Sequence, residues 1–154
     1  MLCDLVHFNL AIGKAPLDHP AMSGFVDRLE TINRLAESSP GFIWTPSGDE
    51  AGNATEVFGN PLVLANISTW RSLDDLFRFV YLGAHGHALI RRRHWFETTG
   101  GPAYVLWWTP EGHRPNWVEA KEKLHHLATE GPTPQAFTFT DAFSVTGRSV
   151  SLGA

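Results

Sequence analysis

Hydrophobic residues recur along the chain with two spacings, which predict strands and helices. From Leu2 to Ile12 the apolar residues Val6, Phe8 and Leu10 occupy every second position, which is typical of a β-strand. Between Ala21 and Glu37 apolar residues recur every three or four positions, as in an amphipathic helix. The whole pattern predicts the order β-α-β-β-α-β-α-β, with further strands at 42–44, 61–70, 103–109 and 137–143.

Short polar signals mark the ends of two of these helices. Ser72 followed by Asp75 is similar to a capping box and predicts a helix start. Asn116 followed by Glu119 predicts a second start, and Gly131 before a proline predicts the end of that helix.

The element order predicts an α+β fold, a ferredoxin-like βαββαβ unit with an additional helix and strand. Residues 1–143 are expected to form a single domain, and the tail at 144–154 is expected to be flexible or to lie at a dimer interface. We expect the helices to cover one face of the sheet. A second copy would cover the other face, so a homodimer enclosing a barrel-like cavity, a dimeric α/β barrel, is predicted.

Composition narrows the classes of partner. The chain has 154 residues, 43% of them hydrophobic, and a formal charge of −4, so general attraction to nucleic acid or to an anionic membrane is not expected. No apolar run is long enough for a membrane span. Asp4 stands where a signal peptide would carry Lys or Arg, so secretion by that route is not expected. The single cysteine is compatible with a reducing compartment, and we expect a cytoplasmic protein. Six Trp and ten Phe suit a site for a flat apolar ligand.

The segment YLGAHGHALIRRRHWFE, residues 81–97, concentrates histidine and arginine within an apolar helical pattern. On one continuous helix His85 and Arg92 would lie about 20° apart, inside the apolar arc. The three neighbouring arginines would be dispersed, which argues against a nucleic-acid patch. Histidines two positions apart would point away from each other, which argues against a metal chelate. Two interpretations of Arg92 and His85 stay open. Both are structural, with Arg92 in a salt bridge to a buried carboxylate and His85 in a core hydrogen bond, or both belong to a ligand site.

Other polar and aromatic side chains are candidates for the same site. His7 and Asn9 share the face of the first strand that lies opposite Val6, Phe8 and Leu10, and this face is turned either to a cavity or to solvent. The strand at 103–109 is apolar on both faces, as expected of a strand that is covered on both sides. His113 lies on a predicted loop, as either a general base or a surface imidazole.

A series of motifs in this order resembles an uncharacterised bacterial and fungal family, domain of unknown function thirty-two ninety-one. The motifs are PGFIW, NISTWRSLDDLFRFVY, RRRHWFE, YVLWW, EGHRP and HLATEGPTPQAFTF. That family is similar to the dimeric α/β-barrel superfamily, which includes cofactor-independent monooxygenases, haem-binding enzymes and lactone isomerases. Several of the oxygenases resemble one another in an Asn on the first strand, a Trp near the third strand and a His or Arg on the next helix. The residues in comparable places here are Asn9, Trp70, His85 and Arg92.

The resemblance implies a small-molecule enzyme acting on a hydrophobic aromatic or polyketide-like intermediate, as in secondary metabolism. Asn9 would bind a carbonyl or phenolate oxygen, Arg92 would stabilise an enolate, and His85 or His7 would move a proton. Oxygenation without a cofactor, isomerisation and cyclisation would all begin with this proton abstraction. The predicted substrate-binding residues are Trp70, Tyr81, Tyr104, Trp108 and His113.

Two alternatives stay open. The first is a haem protein with His85 as the axial ligand. The second is a non-catalytic ligand-binding or stress-response dimer in which Arg92 is structural. In the leading hypothesis no metal and no cofactor is required.

Overall fold

The chain folds into a four-stranded sheet with helices on either side, in a computed structural model that describes residues 2–16, 18–46, 54–82 and 102–152. The strands are β1 (Cys3–Ile12), β2 (Phe42–Trp44), β3 (Val63–Trp70), β4 (Tyr104–Pro110), β5 (Ala142–Phe143) and β6 (Ser149–Val150). The α-helices are α1 (Ser23–Glu37), α2 (Ala54–Phe58), α3 (Leu73–Phe77) and α4 (Trp117–Glu130). A 3₁₀ turn at Pro20–Met22 precedes α1, and a π-helical turn at Arg78–Leu82 follows α3.

The sheet has the strand order β2-β3-β1-β4, and all neighbouring strands are antiparallel. The long strand β1 therefore lies inside the sheet, between β3 and β4. A short hairpin of β5 and β6 forms a separate two-stranded sheet. This architecture confirms the predicted α+β class and is compatible with a ferredoxin-like arrangement.

The predicted helix signals are confirmed in atomic detail. The Ser72 hydroxyl accepts a hydrogen bond from the backbone N–H of Asp75 at 3.2 Å, at the start of α3. At the start of α4 the side-chain oxygen of Asn116 accepts from the Glu119 N–H at 2.8 Å. Gly131 ends α4 with a φ of 75°, a left-handed conformation that glycine adopts without steric cost.

Each face of the sheet packs on a different set of helices. The Phe8 face carries Val6 and Phe8 of β1 and packs on α4 through Trp117, Ala120 and Leu127. The His7 face carries Leu5, His7 and Asn9 of β1, and Leu5 and Trp70 of this face pack on α3 and the π-helical turn. Side chains of α1 also lie against the His7 face, next to His7 and Asn9.

The prediction that helices cover only one face of the sheet is wrong. The additional helix α4, with α2 beside it, buries the Phe8 face within the same chain. The predicted homodimer depends on an uncovered sheet face, and α4 covers that face. The homodimer itself stays a prediction.

The C-terminal residues of the described chain pack on the domain. Phe137 is fully buried and pairs with Leu106 of β4 through two backbone hydrogen bonds, at 2.8 and 2.9 Å. Instead of one further strand, the chain then forms the β5–β6 hairpin. Val150 and Leu152 contact the hydrophobic cluster on the His7 face. Within the described ranges, no helix is both long and apolar enough to cross a membrane.

Candidate functional site

A narrow cleft lies between α1 and the His7 face of the sheet. It holds about 40 Å³ of free space and is partly open to solvent. One ordered water needs roughly 10–15 Å³ of such free space, so the cleft has room for a small chemical group. The cleft is thus of a size to admit one end of a ligand.

The floor of the cleft is a group of four polar side chains on the two central strands. His7 lies directly opposite Ser68, and Asn9 lies directly opposite Asn66, in the antiparallel pairing of β1 with β3. Because directly opposed residues project to the same face, all four reach the cleft. His7 and Ser68 are 6% and 5% exposed, so this polar floor extends into the buried part of the sheet.

Aromatic rings form one wall. Trp70 of β3 is fully buried, and its indole N–H donates to the Ser68 hydroxyl at 2.8 Å. Its ring meets Phe42 edge-on, with centroids 5.5 Å apart, and stacks on Phe79 at 5.3 Å. Both geometries are favourable for aromatic pairs. The hydrogen bond and the two ring contacts hold the indole in one orientation beside the polar floor.

Helix α1 supplies the opposite wall. Asn33 and Glu37 lie one turn apart on this helix, and both line the cleft while remaining exposed. Ile32 and Ala36, the preceding residues in each turn, line it from the more buried side of α1. The cleft therefore changes from apolar and amide-lined inside to acidic at its mouth.

An aromatic group adjoins His7 on the side of β4. The Tyr104 ring is edge-on to His7 at a centroid distance of 6.1 Å, and Phe139 lies 6.2 Å from His7. The Tyr104 hydroxyl accepts a hydrogen bond from the backbone N–H of Phe139 at 3.1 Å. Burial raises the pKa of the Tyr104 phenol above its usual value. Tyr104 is therefore a neutral neighbour of His7 at physiological pH.

The structure brings some of the predicted site residues together. His7, Asn9 and Trp70 line the cleft, and Tyr104 adjoins it through His7. His85 and Arg92, with the helix predicted through them, lie outside the described residues. The catalytic roles of these two residues and the haem hypothesis therefore stay predictions.

Two of the predicted substrate-binding residues, Tyr81 and Trp108, lie away from the lining of the cleft. Tyr81 is 47% exposed and packs edge-on against Phe139 at 5.4 Å. Trp108 is half-buried, and its indole N–H donates to the carbonyl oxygen of Phe143 at 2.9 Å. Trp108 therefore helps to attach the C-terminal hairpin.

His113 belongs to a different group, on the opposite side of the sheet. Its Nε2 contacts one oxygen of Glu119 at 2.8 Å, and the other oxygen of Glu119 accepts from the indole N–H of Trp107 at 3.0 Å. Trp107 is buried on the Phe8 face. The structure therefore does not place His113 with His7 and Asn9. Among the described residues, no cluster of three or more metal-ligating side chains is present.

Sequence reasoning missed half of the polar floor. Asn66, Ser68 and Trp70 alternate along β3, so a spacing of two would have placed them on one face. Asn33 and Glu37 are four apart on a predicted helix, which would have placed them on one side of it. The sequence carried no signal for the pairing of this side of α1 with that face of β3.

One family model matches almost the whole chain. The model of the family described as Domain of unknown function (DUF3291) matches residues 4–152. A search of curated proteins and a search of solved structures each found no match. The matched range contains every residue of the cleft, and the chain belongs to this family of unknown function.

Proposed function

We propose that the chain is a small-molecule enzyme that binds an aromatic, carbonyl-bearing end of its substrate in the cleft and moves a proton with His7. The observation that carries the proposal is the polar floor of His7, Asn9, Asn66 and Ser68 beside the Trp70 ring. An apolar pocket with a few convergent polar groups is the usual form of a small-molecule site.

The position of these polar groups supports a functional role. Polar side chains on a buried sheet face have a desolvation cost that apolar side chains at the same places would not have. Leu5 and Leu106 show that the same face accepts apolar residues next to His7. We therefore attribute the polar floor to ligand recognition and chemistry.

The spacing on β1 suits proton abstraction next to a carbonyl group. His7 and Asn9 are two residues apart on one face, which is about 7 Å along a strand. The Asn9 amide would donate a hydrogen bond to the carbonyl oxygen, where negative charge develops. The His7 imidazole would accept the proton from the adjacent carbon, and the aromatic ring of the substrate would lie beside the wall that Phe42, Phe79 and Trp70 form. Oxygenation, isomerisation and cyclisation of such a substrate share this first step.

The experiment follows the proton directly. Acetophenone exchanges the hydrogens of its methyl group for deuterium slowly in D₂O, and proton NMR measures the rate with and without the protein. We expect the protein to accelerate this exchange. His7→Gln and Asn9→Leu should each lower the acceleration by about 10²-fold, a typical contribution of a general base or an oxyanion contact.

The matched control is His113→Gln, because His113 is a partly exposed histidine on the opposite side of the sheet. This variant should retain the wild-type acceleration. If His7→Gln is as active as His113→Gln, or if the wild-type protein gives no acceleration, the proposed chemistry is wrong.

The dimeric α/β barrel is part of the proposal at the level of quaternary structure. The antiparallel order β2-β3-β1-β4 supports a ferredoxin-like sheet, whereas α4 occupies the Phe8 face on which a second sheet could pack. Light scattering tests the dimer: twice the mass of one chain would support it, and the mass of one chain would contradict it.

A further inference from the structure

The charge of the cleft lining is acidic. Among the described residues that line the cleft, Glu37, at the mouth, is the only one with a permanent charge, and the other polar groups are amides, hydroxyls and the His7 imidazole. The basic residue closest to Glu37 along α1 is Arg34, three positions earlier, and it does not line the cleft. Among the described residues that line the cleft, an anionic ligand would therefore meet a carboxylate and no lysine or arginine.

Two further features of the mouth favour a cation. Glu37 is the last residue of α1, where the carbonyl groups at the helix C-terminus carry a partial negative charge. Phe42 and Phe79 also line the cleft, and aromatic rings are favourable neighbours for a cation. The carboxylate and the helix end both favour a cation, and the aromatic lining is compatible with one.

From this arrangement we infer that the cleft selects ligands that carry a positively charged amine beside their aromatic ring, with Glu37 as the residue that determines this specificity. The inference rests on the proposed function, since it names the substrate class of the same cleft. The aromatic carbonyl end lies over the polar floor, and the ammonium group lies at the mouth beside Glu37. The amine takes no part in the proton transfer, so Glu37 is a specificity residue and not a catalytic one.

Three probes of the same shape test the charge preference. They are 3-(aminomethyl)acetophenone, which is cationic at neutral pH, 3-(hydroxymethyl)acetophenone, which is neutral, and 3-acetylbenzoate, which is anionic. Dissociation constants come from titrations followed by the NMR signal of the Trp70 indole N–H, because Trp70 lines the cleft. We expect the cation to bind about three- to tenfold more tightly than the neutral probe at low salt, as is usual for a partly exposed ion pair. The anion should bind most weakly.

Glu37→Gln removes the charge with little change of shape, and it should make the cationic and neutral probes bind equally. The matched control is Asp27→Asn, an exposed acidic residue of α1 about 15 Å away along the helix axis. This control should keep the preference for the cation. Raising the salt concentration to 1 M should reduce the preference in the wild-type protein, because salt screens exposed charges.

The outcomes separate this inference from the proposed function. If the neutral probe exchanges deuterium in a His7-dependent way but the cation has no advantage over it, the inference is wrong and the proposed chemistry stands. An unchanged preference in Glu37→Gln also contradicts the inference. If none of the three probes shifts the Trp70 signal or exchanges deuterium, both the inference and the proposed function are wrong.

Discussion

His7 of β1 lies directly opposite Ser68 of β3, and both side chains are buried on the face of the sheet that packs under α1. The Ser68 hydroxyl also accepts the indole N–H of Trp70 at 2.8 Å. One serine thus links the polar floor of the cleft to its aromatic wall. The orientation of the Trp70 indole and that of the Ser68 hydroxyl therefore depend on the same hydrogen bond.

Replacing Ser68 with alanine should destabilise the protein. The change leaves the buried N–H of Trp70 without its acceptor, which costs about 1–3 kcal/mol of unfolding free energy. Urea denaturation measures the loss. The control is Ser149→Ala, because Ser149 is exposed on β6 and its loss should change stability by less than about 0.5 kcal/mol. Equal stabilities for the two variants would contradict the role assigned to Ser68.

Gly41 should tolerate no side chain. Its φ is 84°, and a Cβ atom there would overlap the Asp75 carboxylate. That carboxylate accepts the Ser72 hydroxyl at the start of α3, at 3.0 Å. Gly41→Ala should therefore cost more than the roughly 1 kcal/mol of backbone strain alone. Gly59→Ala is the matched control, since Gly59 has a φ of 67° with nothing near its Cβ position. If thermal denaturation ranks Gly59→Ala as the more damaging change, the packing around Gly41 is misassigned.

Glu119 should contribute to stability without affecting chemistry in the cleft. Glu119→Ala removes the acceptor of the buried Trp107 indole N–H and the partner of His113, so a loss of about 1–3 kcal/mol is expected. Glu122→Ala, at an exposed position of the same helix, should have little effect. The deuterium exchange of acetophenone should be unchanged in Glu119→Ala. A loss of exchange in the folded variant would place the His113 group in the mechanism.

Because of Tyr104, the stability of the protein should depend on pH in the alkaline range. Burial raises the pKa of its phenol in the folded protein above the unfolded value of 10.0, so the folded state holds the proton more tightly. The resulting stability is fully present below pH 10 and is lost as the pH rises through the folded pKa. The ultraviolet absorbance of tyrosinate measures this titration, and the chain has only two tyrosines. The late-titrating component should disappear in Tyr104→Phe, and its persistence would contradict the assignment.

Local signals in the sequence predicted the elements well, because each depends on neighbouring residues. Alternation along β1 placed His7 and Asn9 together and opposite Phe8, and the cap at Asn116 marked the start of α4. The same signals did not predict which helices cover each face of the sheet. Alternation shows which side chains share a face, but the packing of α4 on Phe8 depends on contacts between residues more than 100 positions apart.

Only part of the candidate site was predicted, because local signals show which side chains share a face but not what packs on that face. His7, Asn9 and Trp70 belong to strands whose faces follow from the sequence, and all three line the cleft. Asn66 and Glu37 reach the cleft only because β3 pairs with β1 and α1 crosses that face. Such residues become visible once the strand register and the covering helix are known.

The measurement that tests the central claim most directly is an NMR titration of the protein with acetophenone, following the indole N–H signals of its six tryptophans. Trp70 lines the cleft, whereas Trp107 lies on the opposite face of the sheet. We expect a saturable shift of the Trp70 signal that is lost in Asn9→Leu, with the Trp107 signal unchanged. A shift confined to Trp107, or a Trp70 shift that Asn9→Leu leaves intact, would contradict it.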